Sequence, residues 1–94
     1  MNRNDKKLPP LYYAILLHFL DGKTDSAQGV VDALMKDYGR YKLLNYKDVG
    51  EALATAKENS LLEEINCNVN ESGELMIDYQ MTEFGKELAH QYLK

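Results

Sequence analysis

Residues 45–85, NYKDVGEALATAKENSLLEEINCNVNESGELMIDYQMTEFG, hold a helix with its stop signal, two alternating segments around a polar reversal, and the start of another helix. Val49, Ala52, Leu53 and Ala56 recur at i, i+3, i+4 and i+7, which gathers them on one stripe and predicts a helix from about Tyr46 to Glu58. Asn45 is its expected N-cap, and Asp48 adds a charge that suits the positive end of the helix dipole. Asn59, tolerant of left-handed backbone, is the expected stop, after which Leu61 and Leu62 turn the chain back to the interior. Ile65, Cys67 and Val69 then alternate with polar neighbours, and Leu75, Ile77, Tyr79 and Met81 alternate with Met76, Asp78 and Gln80. A period of two predicts strands with Ile65, Cys67 and Leu75 turned to the core. The loop NESGE supplies the glycine and polar groups of a short reversal, giving an antiparallel hairpin over Leu62–Met81.

Upstream, residues 1–8 read as a polar, flexible tail, and Pro9 and Pro10 mark where order begins. The next helix, residues 10–20, is apolar on two sides: Tyr12, Ile15, Leu16 and Phe19 on one, Tyr13, Leu17 and Leu20 on the other. A turn over Asp21–Thr24 leads to a second helix whose start resembles a capping box, Asp25 with Gln28. Its apolar residues Val30, Val31, Leu34, Met35 and Tyr38 run to a stop at Gly39. The connection Arg40–Tyr46, anchored by Leu43 and Leu44, is longer than the turn of a tight helix-turn-helix. Downstream, Thr82 caps a last helix with a stripe of Phe84, Leu88 and Tyr92 that Ala89 and Leu93 extend. The fold class is therefore α+β.

This order of elements resembles the winged-helix superfamily. There the third helix ends in glycine or asparagine followed by a leucine pair, matched here by Asn59, Ser60, Leu61 and Leu62. A pattern Tyr-x-hydrophobic-Thr-x-x-Gly-x-x-Leu opens the last helix, matched by Tyr79, Met81, Thr82, Gly85 and Leu88. Over residues 9–94 the layout is similar to small bacterial regulators of the PadR type. The resemblance implies one winged-helix domain at 9–94, with a three-helix core, an antiparallel β-hairpin wing and a C-terminal helix. It also implies a DNA-binding transcriptional regulator. The alternative is a protein-interaction winged helix that does not bind DNA, of the kind a phage or plasmid carries. In PadR-like relatives the last helix builds the dimer. With the spare apolar face of the first helix, this makes Tyr13, Leu17, Leu20, Ala89 and Leu93 the candidate homodimer interface.

Charge neither excludes nor establishes DNA as a partner. The net charge of −4 is opposite to the usual balance of nucleic-acid binders, yet Arg40, Lys42 and Lys47 against Asp37 leave residues 37–47 at +2. There Arg40, Tyr41, Lys42, Tyr46 and Lys47 interleave cations with aromatic hydroxyls, the groups that contact phosphate and sugar at the start of a recognition helix, and Thr55 faces outward further along. These six are the candidate contacts to double-stranded DNA. A solvated basic loop with its tyrosines packed inward is the competing reading. Glu51 and Glu58 on the same helix, and Glu71 and Glu74 at the reversal, would repel phosphates.

Other classes find little support. No apolar run approaches a membrane span, and residues 1–7 lack a secretory signal, so the expected compartment is the cytoplasm. Cys67 is expected as a small buried hydrophobe, and His18 as a packed or surface residue. Glu87 and His90 share an i, i+3 spacing with half of a di-metal motif, whose other half is missing. The pattern contains no phosphate loop and no nucleophile beside a base, so neither a catalytic residue, a metal ligand nor a cofactor is expected.

Overall fold

The computed structural model describes residues 8–92; expectations resting on residues 1–7 and on Leu93 lie outside it. Seven elements follow in order: α1 (Leu11–His18), β1 (Thr24–Ser26), α2 (Ala27–Tyr38), α3 (Tyr46–Glu58), β2 (Leu62–Val69), β3 (Leu75–Met81) and α4 (Glu83–Tyr92). The strands form an antiparallel sheet in the order β1-β3-β2. Ile15, Phe19, Val30, Val49, Leu53 and Leu62 are its most deeply buried large side chains, so α1, α2 and α3 close on one another and on the base of the hairpin. This is the three-helix core, β-hairpin wing and final helix expected of a winged helix.

Local chemistry explains the boundaries. Asn45 caps α3 by accepting from the Asp48 amide at 2.8 Å, and its own amide group donates to the Asp48 carboxylate at 2.7 Å. At the other end the left-handed residue is Ser60, with φ of +66°, whereas Asn59 stays right-handed at −87°. The correction is one of position. Leu61 N–H donates to the Ala56 carbonyl at 2.8 Å and Ser60 N–H to Lys57 at 2.9 Å, a Schellman closure that places the left-handed step one residue after the cap. Thr82 caps α4 by accepting from Gly85 N–H at 2.9 Å and donates to the Ser60 carbonyl at 2.7 Å. A side chain at Gly85 would strike the Leu61 carbonyl, so that glycine is what lets α4 lie against the α3–β2 corner.

Three expectations are overturned. The segment read as turn and capping box contains β1, with Thr24, Asp25 and Ser26 opposite Gln80, Tyr79 and Asp78. Ser26 is the N-cap, accepting from Gly29 N–H at 3.2 Å, because Asp25 is held by His18 Nε2 at 2.7 Å. In β2 a bulge between Glu64 and Asn66 makes Ile65 an extra residue and turns it to solvent. After the bulge, Cys67 and Val69 lie opposite Ile77 and Leu75, where the hairpin is no longer buried in the core. Cys67 is exposed, and Val69 and Leu75 are 66% and 52% exposed. In α4, Gly85 and Ala89 face inward, while Phe84 and Tyr92 of the expected stripe are exposed.

Candidate nucleic-acid interface

The connection between α2 and α3 is built on two anchors. Tyr38 is buried, its hydroxyl donates to the Pro9 carbonyl at 2.6 Å, and its ring meets Tyr41 edge-on with centroids 5.0 Å apart. Burial, followed by the neighbouring Tyr41 and Asp37, raises the Tyr38 pKa, so the phenol stays a neutral donor. Leu44 is the second anchor; Leu43, expected beside it, is exposed. Between them Tyr41 N–H donates to the Tyr38 carbonyl at 2.9 Å, Leu44 N–H to Tyr41 at 3.1 Å, and the Asn45 amide to the Lys42 carbonyl at 2.7 Å. This ties the backbone down and leaves Arg40, Tyr41 and Lys42 exposed beside Tyr46 and Lys47, also exposed. Five of the six candidate DNA contacts are therefore exposed within the connection that leads into α3 and its first turn.

Thr55, the sixth, stands further along. At 100° per residue, Lys47, Glu51, Ala54, Thr55 and Glu58 form the row opposite the buried Val49, Leu53 and Ala56, and each of the five is exposed. The row's chemistry changes along its length, from a cation through a carboxylate to a pair of short side chains and a second carboxylate, Glu58. Lys57, off this row, bridges to Glu64 at 3.1 Å and fastens the end of α3 to the base of β2.

The wing presents different chemistry. It carries no Lys or Arg from Leu62 to Met81. At its tip Asn70 accepts from the amides of Ser72 and Glu74, each at 2.9 Å, which fixes the reversal and leaves Glu71 and Glu74 exposed. Between wing and α3 runs a groove of about 340 Å³, where Tyr46, Gly50 and Ala54 face Leu75, Ile77 and Tyr79. Sequence reasoning missed this groove; the available signal was the i, i+4 pair of small residues, Gly50 and Ala54, on one flank of the helix.

The dimer candidates divide. Tyr13 on α1 is exposed, Leu17 on α1 and Leu20 just after it are half-buried, and Ala89 of α4 is 2% exposed. A second apolar groove, of about 200 Å³, lies between Tyr12, Tyr13 and Leu16 of α1 and Leu88, Ala89 and Tyr92 of α4.

No family model and no curated protein matches the chain. Solved structures match it in shape. A provisionally assigned transcriptional regulator from Thermoplasma acidophilum is 18% identical with a TM-score of 0.69, over 87% of this chain and 75% of that one. PadR of Bacillus subtilis, solved with operator DNA, is 18% identical with a TM-score of 0.70, over 88% of this chain and 46% of its own. A mutant of ZitR from Lactococcus lactis is 18% identical with a TM-score of 0.65, over 95% of this chain and 53% of its own. This chain thus spans about half the length of the latter two. At that identity the likeness is one of fold, and the fold is the winged helix.

Proposed function

We propose that this chain is a DNA-binding transcriptional regulator that contacts duplex DNA through the start of α3. The observation that supports the reading is the exposure of Arg40, Tyr41, Lys42, Tyr46 and Lys47, within eight residues of sequence at the start of α3, in a fold shared with a regulator solved on its operator. The cations take phosphates and the tyrosine hydroxyls take phosphate or sugar oxygens, which positions α3 over the major groove. The acidic wing stays off the backbone. Such a regulator acts where the DNA is, in the cytoplasm; among the described residues no helix is long and apolar enough to cross a membrane.

The same reading includes a homodimer built on Tyr13, Leu17, Leu20 and the α1–α4 groove, since two copies of α3 placed by a two-fold axis would address paired half-sites. The exposed aromatic rings of Tyr13 and Tyr92 at the groove's edges supply apolar surface for such a contact. Leu93 belongs to this proposed surface by sequence alone.

Fluorescence anisotropy with mixed-sequence duplexes at low salt, combined with sedimentation, tests both parts. The reading expects binding, and it expects Tyr13→Glu to lower the sedimenting mass and the affinity together. An absence of binding would move the role to protein partners, and monomers at every concentration would remove the dimer.

A further inference from the structure

Glu51 is an anomaly on a surface meant for a polyanion. It is exposed at the middle of the outward row of α3, one turn beyond Lys47 and one turn before Thr55. Among the described residues it has no ion pair or hydrogen bond, as is also true of Glu58 further along the row, whereas Asp25 pairs with His18, Asp48 with Asn45, Glu64 with Lys57 and Glu83 with Lys86. It therefore does not serve to hold the fold, and near phosphate it is repulsive. Its neighbours add a second feature. Gly50, Ala54 and Thr55 have short side chains, so from Gly50 to Thr55 Glu51 is the long side chain on the outward side of the helix.

Resting on the DNA-binding reading above, we propose that Glu51 is a specificity-determining residue that selects cytosine in the major groove, with Ala54 and Thr55 meeting thymine methyls about one helical turn further on. The chemistry is selective in both directions. An ionised carboxylate only accepts hydrogen bonds. In the major groove cytosine offers the N4 donor with no acceptor on the same base, guanine offers the acceptors N7 and O6, thymine offers O4, and adenine pairs its N6 donor with the acceptor N7. Glu51 bonds cytosine N4 and is repelled by guanine and thymine at the same place, while adenine is the second choice because N7 lies beside N6. The Ala54 methyl and Thr55 Cγ2 suit the C5-methyl of thymine, the apolar feature of the same groove. Lys47 supplies attraction and Glu51 supplies refusal, a division in which specificity is gained by penalising wrong partners.

The two roles of Glu51 have opposite signs in one experiment. Sites are selected by the wild-type protein from random duplexes, and wild type, Glu51→Ala and Glu51→Gln are titrated on the selected site, on that site with the cytosine changed to thymine, and on an unselected duplex. For wild type the change to thymine should weaken binding by roughly fivefold or more, the low end for one base contact. Glu51→Ala should bind the unselected duplex more tightly than wild type and discriminate cytosine from thymine by less than about twofold. Glu51→Gln, which can donate as well as accept, should move the preference to adenine through N6 and N7. Circular dichroism checks that both variants keep the helix. If Glu51→Ala selected the same sequence with the same discrimination as wild type, the proposal would be overturned with the DNA-binding reading intact. If wild type bound no duplex at low salt, the reading itself would fail and the proposal with it.

Discussion

The start of α3 and the wing are neighbours, with Tyr46 lining one groove with Asn70, Glu74 and Met76, and they have opposite chemistry. At the start of α3, Arg40, Lys42 and Lys47 stand on a backbone tied by Tyr38, Leu44 and Asn45. The wing, from Leu62 to Met81, has no Lys or Arg, ends in Glu71 and Glu74, and exposes Val69 and Leu75. Under the proposed DNA-binding role, this charge distribution gives the contacts with the duplex to the start of α3 and not to the wing. The wing also differs along its own length, since Leu62, Tyr79 and Met81 at its base belong to the core and Cys67 and Val69 near its tip do not.

The largest effect should separate base from tip. Leu62→Ala removes a side chain that is 1% exposed and should cost about 2–5 kcal/mol of unfolding free energy, as large-to-small core changes do. Val69→Ala should stay within about 0.5 kcal/mol, as exposed positions do. Urea denaturation measures both, and equal losses would mean that the wing is packed as one unit. Next in size is the basic corner. Arg40→Ala with Lys42→Ala should weaken duplex binding at low salt by roughly five- to thirtyfold, from about 0.5–1 kcal/mol per exposed ion contact, and equally for all sequences. Anisotropy on several duplexes checks this, and a sequence-dependent loss would place these residues on bases.

What the sequence made legible, and what it hid, follows the same division between near and far. Asn45 and Thr82 were readable as caps because a cap bonds an amide within three residues. The leucine pair and Gly85 were readable because Schellman closure and the close approach of α4 act within that corner. Three residues of β1 carry no usable period, and their strand character comes from β3 more than fifty residues away. For the same reason Asp25 was mistaken for a cap: its partner, His18, lies across a turn. Alternation in β2 told which residues share a face up to a bulge, and said nothing of how much of the hairpin the core would bury. Of the candidate site, the five residues at the start of α3 were legible as a cluster because they are nearly contiguous. The apolar groove was not, because its two walls are α3 and β3.

A smaller effect should come from giving the wing what it lacks. Glu71→Lys with Glu74→Lys would replace two repulsive groups by cations and should tighten non-specific binding and steepen the log–log salt dependence by up to about 0.9 per new phosphate contact. An unchanged slope would mean that the tip never nears the duplex. The mildest test uses one tyrosine from each region. Burial raises the pKa of Tyr38 by α3 and, helped by the Glu64 charge, of Tyr79 at the wing base. A raised pKa in the folded state means that the stabilisation is fully present below the ordinary tyrosine pKa of about 10 and is lost as pH rises through the folded values. Thermal melts should therefore be insensitive to these groups near neutrality and fall above about pH 10. Tyr79→Phe should flatten that fall. A fall of the same steepness in Tyr79→Phe would assign it elsewhere.

The claim that DNA is gripped at the start of α3 by a few phosphate contacts is tested most directly by the salt dependence of wild-type binding to a mixed-sequence duplex. Three cations on three phosphates predict a log–log slope of about −2.7 for one protomer, and about twice that if both halves of a dimer engage. No detectable binding at the lowest salt, where three such contacts should be at their strongest, would contradict it.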